Sequence, residues 1–317
     1  MSISDDVALT RQGAWARRHS LSFDGGGVRG YSSLLILQKL IAKIKDIEVK
    51  HSESATSSYH PELYNKPFNS SRNSGNGNIV SSHQAREDTH RYLPCHYFDF
   101  IAGTSTGGLI AIMLARLRMP VDDAIEVFED LSKEVFSGSR APVWLPWIYT
   151  YNHRKLERVV KKIVDKRIPT IDPNWSKREK EFFTELTGIC NCIVVANGKT
   201  KQAHTPYIFR SYISPQTTGD RKRTAGYIRN PGVRDHYPIW QVARATSAAP
   251  GYLREMHIEG RDFIDGAIGF NNPTEELYDE VEYLYGAKAN SLILSIGTGL
   301  HEPRSFGGPI GVVADAL

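Results

Sequence analysis

One stretch of the sequence decides the fold: residues 96–119 read HYFDFIAGTSTGGLIAIMLARLRM. The run before Gly103 is apolar over the length of a buried strand, and the run after Gly108 is apolar nearly all round, as in a central core helix. We expect this helix to stop at Pro120, because proline cannot continue a helix. A strand that turns directly into a buried helix predicts an α/β fold.

The same alternation of strand and helix continues on both sides of this stretch. Leu21 and Phe23 begin a short strand, and the helix after it carries apolar residues at spacings of three and four: Leu34, Leu37, Ile41 and Ile44. Further strand-like runs are CNCIVVA (190–196), YIFRSYI (207–213), DFIDGAI (262–268) and SLILSIG (291–297). This alternation predicts the fold class α/β, with a mainly parallel central sheet and helices on both faces.

The composition argues against several classes of protein. Lys and Arg outnumber Asp and Glu by 39 to 35 in 317 residues, and a net charge of +4 gives no support for nucleic acid as a partner. The three cysteines have neither a disulfide framework nor metal-ligand spacing. The first residues lack the apolar core of a secretory signal, and the longest apolar run is too short to span a membrane. We therefore expect a cytoplasmic protein.

The segment from residue 51 to residue 92 differs in composition from its surroundings. It is rich in Ser, Asn and His and contains the tract NSSRNSGNGN. Such a segment cannot bury enough surface to offset its conformational entropy. We expect it to be an insertion within one domain that comprises residues 1–317, with the motif-bearing core at residues 20–300.

The first motif with chemical meaning is DGGGVRG at residues 24–30. It contains G-x-G-x-x-G at Gly25, Gly27 and Gly30, between a strand and a helix, where backbone N–H groups can hold negative charge. A dinucleotide site and a purely structural turn are both open at this point. The dinucleotide site lacks its acidic residue at the end of the next strand, since Asp46 and Glu48 fall in the helix tail.

The second motif, GTSTG at residues 103–107, has the form of a nucleophile elbow. In such an elbow the serine lies on a sharp turn between a strand and a helix, and small flanking residues make the turn sterically possible. Ser105 is therefore a candidate nucleophile. A turn with a capping serine is the structural alternative.

A weakly nucleophilic serine needs a base, and Asp265 in the DGA of residues 265–267 follows the strand-like DFI. With DGGGVRG, GTSTG and DGA in this order, the sequence resembles the patatin-like phospholipase family, which includes calcium-independent phospholipase A2 enzymes. The runs ATSAAP (245–250) and SIGTG (295–299) add to the resemblance, which covers residues 20–300 apart from the insertion.

The resemblance implies a patatin-like three-layer sandwich and a lipid acyl hydrolase of the phospholipase A type. Ser105 matches the family's nucleophile, and Asp265 matches the dyad partner that accepts its proton. The resemblance further implies an oxyanion hole at Gly25, Gly26, Gly27, Arg29 and Gly30, an elbow with Gly103, Thr104, Thr106 and Gly107, and a DGA motif completed by Gly266 and Ala267. It implies no metal and no organic cofactor, with membrane or micellar lipid as the substrate.

Two other readings of function are open. One is a Ser–Asp–His triad of Ser105, Asp265 and His301, in the chain order of α/β-hydrolases. Against it, about one clear strand precedes the Ser105 strand, whereas that fold has several. The other is an effector module at the N-terminus of a larger, fungal NLR-like receptor, whose lipase activity depends on assembly. Patatin-like domains resembling this one often form the N-terminal part of larger multidomain proteins with nucleotide-binding and repeat regions. The partners expected for this alternative are an oligomer of the chain or a larger multidomain protein.

Two segments bear on access to lipid. APVWLPWIYTY (141–151) has the composition of an interfacial loop or an acyl-chain wall, with core packing as the alternative. The helix predicted from Arg154 to Arg167 has a charged face formed by Lys155, Arg158, Lys161, Lys162 and Lys166. Solvation is the ordinary role of such a face, and a transient, peripheral contact with an anionic membrane is the alternative.

Overall fold

One mixed sheet forms the centre of the protein in the computed structural model, which describes residues 17–51, 92–136, 150–171, 182–184, 189–199, 204–212 and 237–299. Its strands in these ranges are β1 (Arg18–Phe23), β2 (Phe100–Thr104), β3 (Asn191–Lys199), β4 (His204–Arg210), β5 (Met256–Ile258), β6 (Arg261–Ile264) and β7 (Asn290–Ile296). The strands β7, β1, β2 and β3 lie side by side and are parallel, which confirms the prediction of a mainly parallel sheet.

The antiparallel part of the sheet begins at β3. Strand β4 pairs with β3 along Ile193–Lys199, and β6 pairs only with the last three residues of β3, Asn197–Lys199. Strand β2 reaches β3 no further than Val195. Because β4 occupies one edge of β3, β6 must continue the other edge beyond the end of β2. The residue after β6 therefore faces the end of β2.

The helices of the described residues connect and cover these strands. They are α1 (Gly30–His51), α2 (Thr106–Ala111), α3 (Val121–Phe136), α4 (His153–Ile171), α5 (Ile239–Thr246) and α6 (Thr274–Tyr285), with short turns at Gly27–Arg29, Pro94–His96 and Ala267–Phe270. None of the helices in these ranges is long and apolar enough to cross a membrane.

The central helix ends earlier than its sequence predicts. Helix α2 continues into a π-type turn at Ile112–Arg116, so helical structure stops four residues before Pro120. The Leu117 N–H donates to the Ile112 carbonyl oxygen at 2.9 Å, and the Met119 N–H to that of Met113 at 2.9 Å. These wider hydrogen bonds open the last turn, so the chain leaves the helix before the proline could end it.

Alternate residues of the strands separate two apolar layers. Ile101 of β2 and the alternate residues Cys192, Val194 and Ala196 of β3 face the larger core, which the helices α1 to α5 share. Phe100 and Ala102 face the other side, where they pack with Leu277 and Val281 of α6. Helices thus cover both faces of the sheet, which confirms the three-layer arrangement.

Several predictions fall on residues outside the described ranges. These are residues 52–91 of the insertion, residues 141–149 of the aromatic segment, and His301. At the end of the insertion, Tyr92 is described, and it lies in the core with 6% of its surface exposed. Tyr92, which the sequence analysis placed at the end of the insertion, therefore packs with the folded core, and the insertion itself stays a prediction.

Candidate active site

The turn between β2 and α2 carries the candidate nucleophile. Ser105 has φ 54° and ψ −125°, a conformation that non-glycine residues rarely adopt. A side chain at Gly103 would collide with the carbonyl group of Gly107, and one at Gly107 would collide with that of Phe23. The two glycines therefore permit the strained turn, as the elbow motif predicts, and Thr104 and Thr106 lie at the end of β2 and the start of α2.

Asp265 lies directly opposite this serine. It follows β6, which the sheet register places beyond the end of β2. The Ser105 hydroxyl donates to Asp265 Oδ2 at 2.7 Å, and the Ala267 N–H donates to Asp265 Oδ1 at 2.8 Å. Both residues are buried, with 2% of Ser105 and 1% of Asp265 exposed. The structure thus brings together two residues that are 160 positions apart in sequence.

The surroundings of Asp265 favour a proton acceptor that works near neutral pH. Removal from water raises the pKa of its carboxyl to about 7, since burial disfavours the charged form. The hydrogen bonds from the Ala267 N–H and the Ser105 hydroxyl lower the pKa, but desolvation is the larger effect.

The glycine loop packs against the dyad. A Cβ at Gly25 would collide with Asn271 Oδ1 and would lie 3.1 Å from the Cβ of Ser105 and 3.2 Å from that of Ala267, so a side chain there would have to displace its neighbours. The loop is held by the end of β7, because the Asp24 N–H donates to the Ile296 carbonyl oxygen at 3.2 Å. The Thr298 hydroxyl also donates to the Gly25 carbonyl oxygen at 3.1 Å.

Some N–H groups of this loop are already engaged. The Gly25 N–H donates to the Asn271 carbonyl oxygen at 3.1 Å, and the Arg29 N–H to that of Gly26 at 3.1 Å. The Gly30 N–H bonds to carbonyl groups in the turn before it. The backbone N–H groups of Gly25, Arg29 and Gly30 are therefore not free to bind an oxyanion in this conformation. The oxyanion hole thus has fewer donors than the motif implies.

Three donors of the loop remain. In the part of the chain that the structure describes, the N–H groups of Gly26, Gly27 and Val28 have no acceptor. They follow one another at the start of the short turn Gly27–Arg29, next to the residue that packs on Ser105. Successive unpaired N–H groups of this kind form a site for negative charge. Val28 was not singled out from the sequence, since its side chain carries no chemistry.

A further site residue that sequence reasoning missed is Thr246, at the end of α5. Its hydroxyl accepts the Ser105 N–H at 2.7 Å and donates to the Val195 carbonyl oxygen at 2.6 Å. Its own carbonyl oxygen accepts the Gly266 N–H at 3.3 Å. Thr246 thus ties the elbow to β3 and to the residue after the dyad aspartate. The run ATSAAP contains this threonine. The sequence analysis therefore identified the run as part of the family resemblance but gave Thr246 no role.

A second acid of the site, Asp24, precedes the glycine loop. Burial raises the pKa of its carboxyl to about 6. Its buried Oδ1 has no hydrogen-bond partner among the described residues. The site therefore holds two carboxyl groups whose charged forms are disfavoured by burial.

The alternatives from the sequence are not assembled in the described part of the chain. His301 lies outside it, and the two Asp265 oxygens accept from Ser105 and Ala267. The strand that follows the glycine loop ends in the serine elbow rather than in the acid of a dinucleotide site. Within the described ranges, no group of three or more His, Cys, Asp or Glu side chains is placed to hold a metal ion.

Comparison with known proteins gives a consistent set of matches. A family model described as "Patatin-like phospholipase" matches residues 85–278. The chain is 26% identical over 293 residues to calcium-independent phospholipase A2-gamma of Homo sapiens, an alignment that covers 89% of this chain and 28% of that protein.

Two other relatives match over shorter stretches. The chain is 27% identical over 240 residues to phospholipase A I of Arabidopsis thaliana, covering 65% of this chain and 18% of that protein. It is 28% identical over 215 residues to the 85/88 kDa calcium-independent phospholipase A2 of Rattus norvegicus, an alignment that covers 64% of this chain and 23% of that protein. The chain thus spans less than a third of the length of these relatives.

Proposed function

The chain belongs to the patatin-like phospholipase family, and on that premise we propose that it hydrolyses fatty-acyl esters of lipids through the Ser105–Asp265 dyad. The observation that carries this proposal is the 2.7 Å hydrogen bond from the Ser105 hydroxyl to Asp265 Oδ2 on a strained elbow. Phospholipids are the leading substrate class, because the relatives are named phospholipases. Galactolipids and neutral glycerides are the other substrates to test.

In the first half of the reaction, Asp265 Oδ2 takes the proton of Ser105 as Oγ attacks the ester carbonyl carbon. The carbonyl oxygen becomes an oxyanion, which the N–H groups of Gly26, Gly27 and Val28 stabilise. Loss of one such donor typically costs about 10²–10³ in rate. The C–O bond to the alcohol then breaks, and the alcohol leaves with the proton from Asp265. The acyl group remains as an ester on Ser105 Oγ.

In the second half, water replaces the alcohol. Asp265 accepts a proton from the water as its oxygen attacks the acyl carbon, and the same loop holds the second oxyanion. The bond to Ser105 Oγ breaks, and the proton on Asp265 returns to the serine. The products are a fatty acid and the free enzyme.

The test of the dyad uses conservative variants and matched controls. Ser105→Ala and Asp265→Asn should each reduce release of fatty acid from phosphatidylcholine micelles to background while thermal unfolding still reports a folded protein. The controls are Ser295→Ala and Asp130→Asn, which change exposed residues of β7 and α3. Substantial turnover by a folded Ser105→Ala protein would disprove the assignment.

The need for a metal is tested in the same assay. Two relatives are named calcium-independent, and we propose the same for this chain. The rate should be unchanged in excess chelator, and a chelator-sensitive rate that returns with calcium would contradict this.

A regulated module is the second candidate function. The relatives are more than three times as long as the segment they share with this chain, so such domains occur within larger proteins. If lipid hydrolysis depends on assembly, as in an NLR-like receptor, the chain alone will be inactive and a fusion that forces it into oligomers will be active. Equal activity per chain in the isolated protein and in the forced oligomer would contradict the regulated module and favour a hydrolase that does not depend on assembly.

A further inference from the structure

Helix α4 carries more positive charge than the whole chain does on balance. Between Arg154 and Arg167 there are seven Arg or Lys residues and two acids, Glu157 and Asp165, which gives a net charge of +5. The complete sequence has a net charge of +4. The rest of the protein is therefore close to neutral, and the excess is concentrated on one helix.

The packing of α4 turns this charge outward. Its apolar face lies in the larger core, through Leu156, Val159, Val160, Val164 and Ile168. The opposite face consists of exposed basic residues, which we call the basic face: Arg154, Arg158, Lys161, Lys162 and Lys166. Because the apolar side is already buried against the protein, this helix cannot insert it into a bilayer. Any attraction to a lipid surface must be electrostatic.

Few acids among the described residues offset the charge of the basic face, and on α4 itself they are Glu157 and Asp165. Glu157 points toward the protein and contacts the buried Arg244 at 3.4 Å. Arg167, near the end of α4, pairs with Asp123 at 3.6 Å and is not part of the basic face. Among the described residues, Arg158, Lys162 and Lys166 have no ion-pair partner.

The basic face continues over an open surface depression of about 660 Å³, which is lined by Arg154, Glu157, Arg158, Lys161, Lys162 and Asp165. All six residues belong to α4, so this depression is a shallow feature of one helix surface. The Lys161 ammonium lies 4.2 Å from the centre of the Trp240 ring. Four of the six lining residues are cations, so the depression favours anionic groups.

The basic face is connected to the active site through α5. Arg244, the partner of Glu157, precedes by two residues the Thr246 hydroxyl that accepts the Ser105 N–H. The residues just before α4 are tied to the segment after α5, since the Thr150 N–H donates to the Gly251 carbonyl oxygen at 3.0 Å. The start of α4 is therefore one helix away from the nucleophile.

We propose that the basic face docks the domain on an anionic membrane surface and so holds the active site close to lipid. This inference rests on the proposed function only for what docking would achieve, namely access to lipid substrate. Docking itself needs no hydrolysis. Each Lys or Arg near an anionic surface increases affinity about fivefold. Removal of three such charges should then lower affinity by at least tenfold, allowing for incomplete contact.

The test measures vesicle binding by the full chain in a Ser105→Ala background, so that no lipid is consumed. Vesicles contain phosphatidylcholine alone or phosphatidylcholine and phosphatidylserine in a ratio of about 7:3, which supplies the anionic surface. Binding is measured by co-sedimentation at about 0.1 M and about 1 M salt, where the screening length falls from roughly 10 Å to roughly 3 Å. A binding assay of this kind fails or succeeds independently of the hydrolase proposal.

The variant Arg158→Gln/Lys162→Gln/Lys166→Gln is compared with Lys39→Gln/Lys43→Gln/Lys50→Gln on α1, which removes the same charge from another exposed helix face. We expect binding that requires phosphatidylserine, weakens at high salt, falls at least tenfold in the α4 variant, and changes less than about twofold in the α1 variant.

Equal binding to both vesicle types, or equal losses in the two variants, would overturn the proposal. Binding to a duplex oligonucleotide is measured in parallel. An α4 variant that keeps its affinity for anionic vesicles and loses affinity only for the oligonucleotide would also overturn the proposal, because the basic face would then bind nucleic acid. Thermal unfolding of each variant is the control for whether these surface changes leave the fold intact.

Discussion

Replacement of Asp265 by Asn should abolish catalysis and, at alkaline pH, make the fold more stable. The reason lies in the surroundings of the carboxyl group, which is buried and has a pKa raised to about 7 by desolvation. An unfolded chain exposes the same group to water, where its pKa is 3.8. Between these two values the folded state holds a proton that the unfolded state has released.

The sign and size of the effect follow from this difference. Because the folded pKa is raised, the stabilising contribution is complete below the unfolded pKa and is lost as pH rises through the folded pKa. A separation of about 3 pKa units corresponds to about 4 kcal/mol, at 1.36 kcal/mol for each unit. Most of this falls above pH 5, so wild type should lose about 3 kcal/mol from this group between pH 5 and pH 8.

Asn is a suitable replacement because it stays neutral and keeps the hydrogen bonds. Its carbonyl oxygen can accept the Ala267 N–H that Oδ1 accepts at 2.8 Å, and its amide can donate to Ser105 Oγ. The difference in unfolding free energy between Asp265→Asn and wild type should therefore widen by about 3 kcal/mol in favour of the variant from pH 5 to pH 8.

The assay is urea unfolding at four pH values from 5 to 8, and Asp130→Asn is the control. Asp130 is exposed on α3, so its replacement changes the same charge without removing a buried acid. Parallel stability profiles for Asp265→Asn and wild type would refute the reasoning, because the buried carboxyl would then not hold an excess proton.

Three further outcomes are expected. The rate of ester hydrolysis should rise about tenfold for each pH unit up to an apparent pKa of about 7 and then level off, because Asp265 must be ionised to accept a proton. A flat pH–rate profile from pH 5 to pH 8 would contradict this. Thr246→Val should lower kcat at least about tenfold and stability by about 2–5 kcal/mol, since it leaves two buried backbone groups unpaired, whereas Thr246→Ser should retain most of both. Glu280→Gln should lower the free energy of unfolding by about 3–5 kcal/mol, because it leaves the buried Arg210 without its carboxylate, and a loss below 1 kcal/mol in urea unfolding would contradict the pairing.

The parts of the site that local sequence determines were predictable. The elbow at Ser105 needs small residues on both sides of a strand-to-helix turn, and Gly103 and Gly107 signal that need directly. The alternating apolar runs likewise predict the parallel centre of the sheet, because a strand buried on both faces has a recognisable composition. That Ser105 and Asp265 would meet came from the order of motifs in a family, since spacing alone contains no such information.

The rest depends on contacts that a linear pattern does not encode. The reversal that pairs β6 antiparallel with the end of β3 is set by tertiary packing, and it is this reversal that carries Asp265 to Ser105. The engagement of the Gly25 N–H by Asn271 is a main-chain contact, which leaves no trace in side-chain identity. The structure also gives a role to two runs that had none. ATSAAP holds the elbow through Thr246, and SIGTG holds the glycine loop through Thr298.

The pairing of other buried acids shows by contrast why Asp265 is available as a base. Away from the site, Asp99 contacts Arg18 at 3.1 Å and Glu280 contacts Arg210 at 2.6 Å, so burial of each acid is compensated by a cation. Asp265 is as deeply buried, yet among the described residues it accepts hydrogen bonds from an N–H and a hydroxyl, and these do not outweigh desolvation. An arginine beside it would hold its pKa low and leave a carboxylate too weakly basic to deprotonate a serine. The missing cation costs stability at neutral pH, and that cost is what makes Asp265 a competent base.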